Sequence, residues 1–164
     1  MKCLIAYKTK TGTTGEIAQR VAEVLKKKGV DADVVSIDAS PDLAGYSRVV
    51  LGCPINGMKL MPEMEAYITQ KVVGKNVPVD LFVVSYMYGK GRAMWKKAID
   101  KDMSRIASLA SAQNKIVFGG RIASMLPGFA RVLFGIAKDT PLDQRDWGQI
   151  ESWASDLAAR VAAD

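Results

Sequence analysis

A chain of 164 residues, 49% hydrophobic and 24% charged, is large enough for one domain with a real core. No linker, repeat or low-complexity stretch divides it, so a single domain over 1–164 is expected. The lack of histidine and the presence of only Cys3 and Cys53 argue against a disulfide framework or a metal site, and for a reducing, cytoplasmic location.

Net charge +6 favours anionic partners: a phosphate ligand, an acidic substrate, a membrane surface or nucleic acid. The first segment, Lys2–Tyr7, is a nearly continuous apolar run suited to a strand buried on both faces, and far too short for a signal peptide or a membrane span. Ile17, Val21 and Leu25 recur every four residues, which predicts a helix from Thr14 to about Lys28, ended by Gly29 after a basic turn. Ala32–Ile37 and Arg48–Cys53 read as the second and third strands, and Met64–Val72 as a helix with Pro62 near its first turn. Val79–Ser85 is a fourth strand, and Gly91 to about Ala110 a long basic helix. Lys115–Gly120 is a fifth strand and Asp146–Ala163 a closing helix. Five apolar strands separated by helices predict an α/β fold, a parallel sheet in order 2-1-3-4-5 with helices on both faces. Ligands of such sheets sit at the carboxyl ends of the strands, near the switch point between the first and the third.

At that corner Thr9, Thr11, Thr13 and Thr14 surround Gly12, with Lys10 among them. A helix N-terminus offers free amides and partial positive charge, glycine permits the tight turn, and the hydroxyls add donors for a phosphate. A plain N-cap by Thr11 or Thr13, with Glu16 as capping-box partner, explains one or two threonines but not four. The Walker and dinucleotide glycine signatures are absent: Gly89 and Gly91 begin a G-x-G, but Met94 holds the third glycine's place.

Thr-x-Thr-Gly-x-Thr after the first strand resembles the FMN phosphate loop of flavodoxins, matched at Thr9, Thr11, Gly12 and Thr14. The resemblance implies a flavodoxin-like three-layer sandwich with FMN as cofactor. Two more flavin loops then follow the third and fourth strands. The first offers Pro54, Ile55, Asn56, Gly57, Met58 and Lys59. In the resemblance the Gly57 carbonyl lies near flavin N5 and can flip when N5 gains a proton; an ordinary turn before a helix is the alternative. The second runs through Ser85, Tyr86, Met87, Tyr88, Gly89 and Gly91, with Tyr86 and Tyr88 as stacking candidates or as plain loop support.

Flavodoxin carriers are acidic around the flavin, and this chain departs from that pattern. Lys59 and Lys90 lie in the flavin loops, and Arg92, Lys96, Lys97, Lys101 and Arg105 follow. Cations near the ring favour the reduced anion by Coulomb attraction. Gly119–Thr140 lengthens the link to the last helix and places Leu126, Phe129, Leu133 and Ile136 or Ala137 on one helical face, with Arg131 and Lys138 as its charges. Such a face either packs on the sheet or meets a hydrophobic substrate or a membrane surface, so peripheral contact at the inner face of the membrane through 122–138 is one expectation.

The whole chain is similar to the flavodoxin-type, menaquinone-dependent protoporphyrinogen IX dehydrogenases. The leading expectation is an FMN redox protein passing electrons to a protein partner. An FMN oxidoreductase acting on a quinone or porphyrinogen is the alternative, and a flavin-free basic binding module a third reading. Trp95 alone on a basic stripe makes no nucleic-acid site. With no histidine and no acidic dyad near the loops, no catalytic side chain is expected, and the protein supplies orientation and electrostatics. Cys3 and Cys53 are expected as separate, buried thiols at opposite ends of their strands.

Overall fold

In the computed structural model, which describes residues 1–56, 58–88, 90–122 and 127–163, Lys2–Tyr7 forms β1 with Cys3 to Ala6 fully buried. Helix α1 spans Thr13–Lys27 and buries Ile17, Val21 and Leu25, the row its spacing predicts; Gly29, at φ +82°, turns the chain into β2 at Asp31–Ser36. Strand β3 runs from Arg48 to Asn56, three residues past the expected end. The extra length arises because Lys59–Leu60 forms a short β4 that pairs back antiparallel, Ile55 with Leu60 and Asn56 with Lys59.

Helix α2 covers Pro62–Tyr67 and widens into a π-type turn over Ile68–Val72. Strand β5, Val79–Ser85, is buried along its whole length. Helix α3 spans Ala93–Leu109, β6 Asn114–Gly119, α4 Gly128–Phe134 and α5 Trp147–Ala163. The main sheet is parallel in the order β2-β1-β3-β5-β6, which is the expected 2-1-3-4-5 once the short β4 is set aside.

Two apolar layers hold the sheet. On one face α1 and α5 pack over Ile5, Val50, Phe82 and Phe118; on the other α2 and α3 pack over Leu4, Leu51, Leu81 and Val83. Each fully buried aliphatic or aromatic side chain contributes roughly 1.5–3 kcal/mol to that packing. Phe82 makes ring contacts with Phe118 at 5.8 Å and Trp153 at 6.1 Å. It can sit there only because β3 offers Gly52: a Cβ on Gly52 would lie 2.3 Å from the Phe82 ring. At the amino end of the strands, Arg48 and Asp80 form a buried ion pair at 2.6 Å, and Asn114 donates to the same carboxylate at 2.8 Å. That polar knot lies at the opposite end of the sheet from the ligand edge.

The extension departs from its predicted face. Ile136 is buried, but Phe129 and Leu133 are 77% and 56% exposed, joined by Val132 at 72%. Arg131 is folded inward instead of lying on a charged flank. Its Nη1 donates to the carbonyls of Ala137 and Lys138 at 2.7 and 2.9 Å, in the turn that follows the end of the helix at Gly135 (φ +68°). Leu126, also assigned to that face, lies outside the described residues. The long basic helix is in part neutralised: Lys96 pairs with Asp100 at 2.9 Å and Arg105 with Glu65 at 2.6 Å.

Candidate functional site

The carboxyl ends of β1, β3, β5 and β6 lie along one edge of the sheet, and the loop after β1 sits there beside the end of β3. The Lys8 amide donates to the Gly52 carbonyl at 2.8 Å, continuing the β1–β3 pairing into the loop. Gly12, at φ +87°, then makes the turn that a side chain would strain, and α1 begins. The alternative reading, a capping box with Glu16, is not what forms. No side chain caps the helix, and Glu16 turns outward to Arg121, 2.7 Å away, and to Arg145. The first turn of α1 thus keeps its amides uncapped by side chains, as an anion site requires.

Thr13 and Thr14 are buried, and the hydroxyls of Thr9 and Thr14 have no hydrogen-bond partner among the described residues although both oxygens are shielded from solvent. An unpaired buried hydroxyl costs on the order of 1–3 kcal/mol, so two at one corner call for a ligand. The Thr11 and Thr13 hydroxyls face each other at 3.4 Å. Thr9, Lys10, Thr11, Thr13 and Thr14 line a cavity of about 170 Å³. Pro54, Ile55 and Asn56 from the end of β3 form a second wall, and Tyr86 a third.

The remaining expected residues do not line this cavity together. Ser85 is buried and its carbonyl accepts the Gly120 amide at 3.2 Å. Tyr86 is buried, with its hydroxyl donating to the Pro141 carbonyl at 2.9 Å. Tyr88 donates to Asp100 at 2.9 Å and lies under Lys96, whose ammonium is 4.8 Å from the ring centre. The Gly91 amide donates to the Met87 carbonyl at 3.0 Å, and a Cβ there would press on the Phe134 carbonyl. Met58, at φ +66°, and the exposed Lys59 face α3, beside Ala98 and Lys101 in a separate hollow of about 490 Å³. Gly57 and Gly89 lie outside the described residues, and Lys90 is exposed.

Sequence reasoning missed the fourth wall. Val84, Gly120, Arg121 and Ile122 also line the cavity. The only signal was the Gly119-Gly120 pair closing the last strand. A Cβ on Gly120 would lie 2.9 Å from the Tyr86 amide nitrogen, so a glycine is needed for the β6 loop to approach β5. A hydrogen bond from Arg145, reinforced by Arg121, holds the Glu16 carboxyl below its ordinary range. Glu16 therefore stays ionised and paired beside the cavity, between two cations.

The donor set suits a phosphate monoester: uncapped helix amides, orphaned threonine hydroxyls and the cations Lys10 and Arg121 at the rim. Among the described residues no group of three or more carboxylates or thiols is gathered for a metal, and no described helix is long and apolar enough to cross a membrane. Both cysteines are free and buried, on opposite sheet faces.

Comparison with known proteins agrees with this fold. The family model described as "Flavodoxin domain" matches residues 4–134. A 57-residue stretch is 42% identical to the protoporphyrinogen IX dehydrogenase [quinone] of Escherichia coli (strain K12), covering 34% of this chain and 32% of that protein. The chain thus matches about a third of that relative's length. Among solved structures, a flavodoxin from the domain Archaea superposes with a TM-score of 0.61 at 16% identity over 99% of both chains. The two-electron reduced Megasphaera elsdenii flavodoxin does so with 0.60 at 18% identity, over 96% of this chain and 98% of that one. Rubredoxin oxygen:oxidoreductase of Desulfovibrio gigas reaches 0.66 at 14% identity, over 99% of this chain but 36% of its own length. With a matching family model over most of its length and this fold, the chain belongs to the flavodoxin-domain family.

Proposed function

We propose that this protein carries electrons through an FMN whose phosphate is held by Thr9–Thr14, with the ring system lying between the loops after β3 and β5. The observation that carries the reading is the pair of buried hydroxyls of Thr9 and Thr14, without a partner among the described residues, in a cavity at the uncapped start of α1. When bound, FMN supplies one- or two-electron redox chemistry; the chain's own residues bind and orient. Asn56 and Ile55 form the wall on the β3 side, where Met58 follows in the β3–β4 turn and Lys59 opens β4. Tyr86, anchored to Pro141, forms the wall on the β5 side. Lys59 and Lys90 are exposed cations on the two ring loops and would favour the reduced, anionic cofactor. The absorption spectrum of the purified protein, with chromatography of the released cofactor, tests this. FMN is expected; FAD, or a colourless protein that takes up no flavin, would refute it.

A second reading, an FMN oxidoreductase acting on a quinone or porphyrinogen, is favoured by the exposed row Phe129, Val132 and Leu133 on an extension fastened to the β5 loop. The segment shared with the protoporphyrinogen IX dehydrogenase [quinone] supports it too. In that case 122–138 offers an apolar contact for the substrate or for a membrane surface, with Lys138 exposed beside it. Incubating the loaded protein with protoporphyrinogen and a quinone, and following porphyrin fluorescence, separates the two. A carrier leaves the rate at its uncatalysed value.

A further inference from the structure

We propose that Arg121 is a phosphate-binding residue of this site, a fixed guanidinium that makes the chain select the phosphorylated flavin over riboflavin. The proposal rests on the FMN reading and adds a residue that the threonine loop does not contain.

Arg121 lines the cavity together with Thr9 and Thr14, the two residues whose hydroxyls are orphaned. Its backbone is tied from both sides. The preceding Gly120 donates to Ser85 at 3.2 Å and accepts from the Gln144 amide at 3.0 Å, and Arg121 itself bridges to Asp143 in the β-manner. Gly120 has no room for a side chain, so the loop position of Arg121 is set by close packing against β5.

One side of the guanidinium is held. Nη2 donates to Glu16 Oε1 at 2.7 Å, which fixes the plane of the group beside the first turn of α1. Its other nitrogens make no hydrogen bond to any described residue, while the group stays half-buried at the cavity wall. A planar fork with one arm anchored and the others unspent suits a phosphate oxygen better than a mobile lysine does.

Glu16 would by itself repel an anion from the helix start. Arg145 removes that objection. Its side chain is 7% exposed, pairs with Glu16, donates to Asp143 at 2.6 and 2.9 Å, and lies over the Trp147 ring at 4.7 Å. Glu16 and Asp143 against Arg121 and Arg145 make a neutral quartet. Arg121 can therefore turn its unspent N–H donors to the cavity without an unpaired carboxylate beside it.

The test is a fluorescence titration of cofactor-free protein with FMN and, separately, with riboflavin, in wild type, R121Q and R121K. R121Q should weaken FMN binding by about 10- to 100-fold, the value of one hydrogen bond to a charged group. Riboflavin affinity should stay as in wild type, and R121K should recover part of the loss. Inorganic phosphate should inhibit FMN binding to wild type more strongly than to R121Q. A loss shared equally by FMN and riboflavin would mean that Arg121 only shapes the loop, and equal FMN affinity in R121Q would mean that it never meets the phosphate; either overturns the proposal. Wild-type protein that binds no FMN overturns the cofactor reading itself, before any variant is compared.

Discussion

The Arg92 amide donates to the Phe134 carbonyl at 3.0 Å, and the Arg92 guanidinium reaches the Val132 carbonyl at 3.1 Å. Two carbonyls of the last turn of α4 are thus bound by the residue that opens α3, and Trp95 packs against Phe134 with ring centres 5.8 Å apart. This fastens the extension to the loop after β5, one of the two loops assigned to the flavin ring.

The fastening tolerates no side chain at Gly135, where φ is +68° and a Cβ would lie 2.5 Å from Arg92 Cγ. G135V should cost about 1–3 kcal/mol of stability through positive φ and overpacking. It should also speed proteolytic cleavage within 127–140, while FMN affinity is unchanged because the phosphate cradle is elsewhere. Cleavage at the wild-type rate would show that the extension does not depend on this joint.

The threonine hydroxyls separate binding from stability. Thr11 is exposed and faces Thr13, so Thr9 and Thr14 make the sharper pair for substitution. In T9V/T14V the cofactor-free protein should melt at or above the wild-type temperature, since two buried hydroxyls without partners are removed. FMN binding should fall by roughly 1.5–3 kcal/mol for each lost bond to a charged group. A double variant that binds FMN as wild type does removes these residues from the phosphate site.

Much of this was legible beforehand because it is local. The four-residue apolar row of α1, the continuous apolar run of β5 and the Thr9–Thr14 loop between a strand and a helix each depend on a short window of sequence. The failures share the opposite property. β3 reaches Asn56 because β4 pairs back onto it, and Arg131 folds inward because the carbonyls of Ala137 and Lys138 accept its guanidinium. Periodicity cannot see either partner. Arg121 was invisible as a site residue for the same reason: only the sheet order brings the end of β6 round to the threonine loop.

Burial pushes the Cys3 and Cys53 thiols up to about 12, from an ordinary value near 9. A raised value stabilises the fold only while the unfolded thiol also keeps its proton. Stability should therefore be full below pH 9 and fall as pH rises toward 12, by up to about 4 kcal/mol for each thiol. C3A should flatten that alkaline limb. Both thiols should also resist a disulfide reagent at neutral pH and react once the protein is denatured; fast labelling of the native protein would contradict their burial.

Lys59 and Lys90 test the electrostatics of the ring loops. Reversing both to glutamate should lower the two-electron potential by on the order of tens of millivolts, as expected for exposed charges close to the ring. FMN binding should be largely retained. An unchanged potential would mean that neither lysine approaches the ring.

The central claim is that the cavity at the start of α1 holds the phosphate of FMN, and a fluorescence titration of the cofactor-free chain tests it most directly. The account predicts saturable quenching of FMN at one flavin per chain, with riboflavin bound far more weakly and T9V/T14V losing most of the difference. Equal affinity for FMN and riboflavin, or a difference that survives in T9V/T14V, would contradict it.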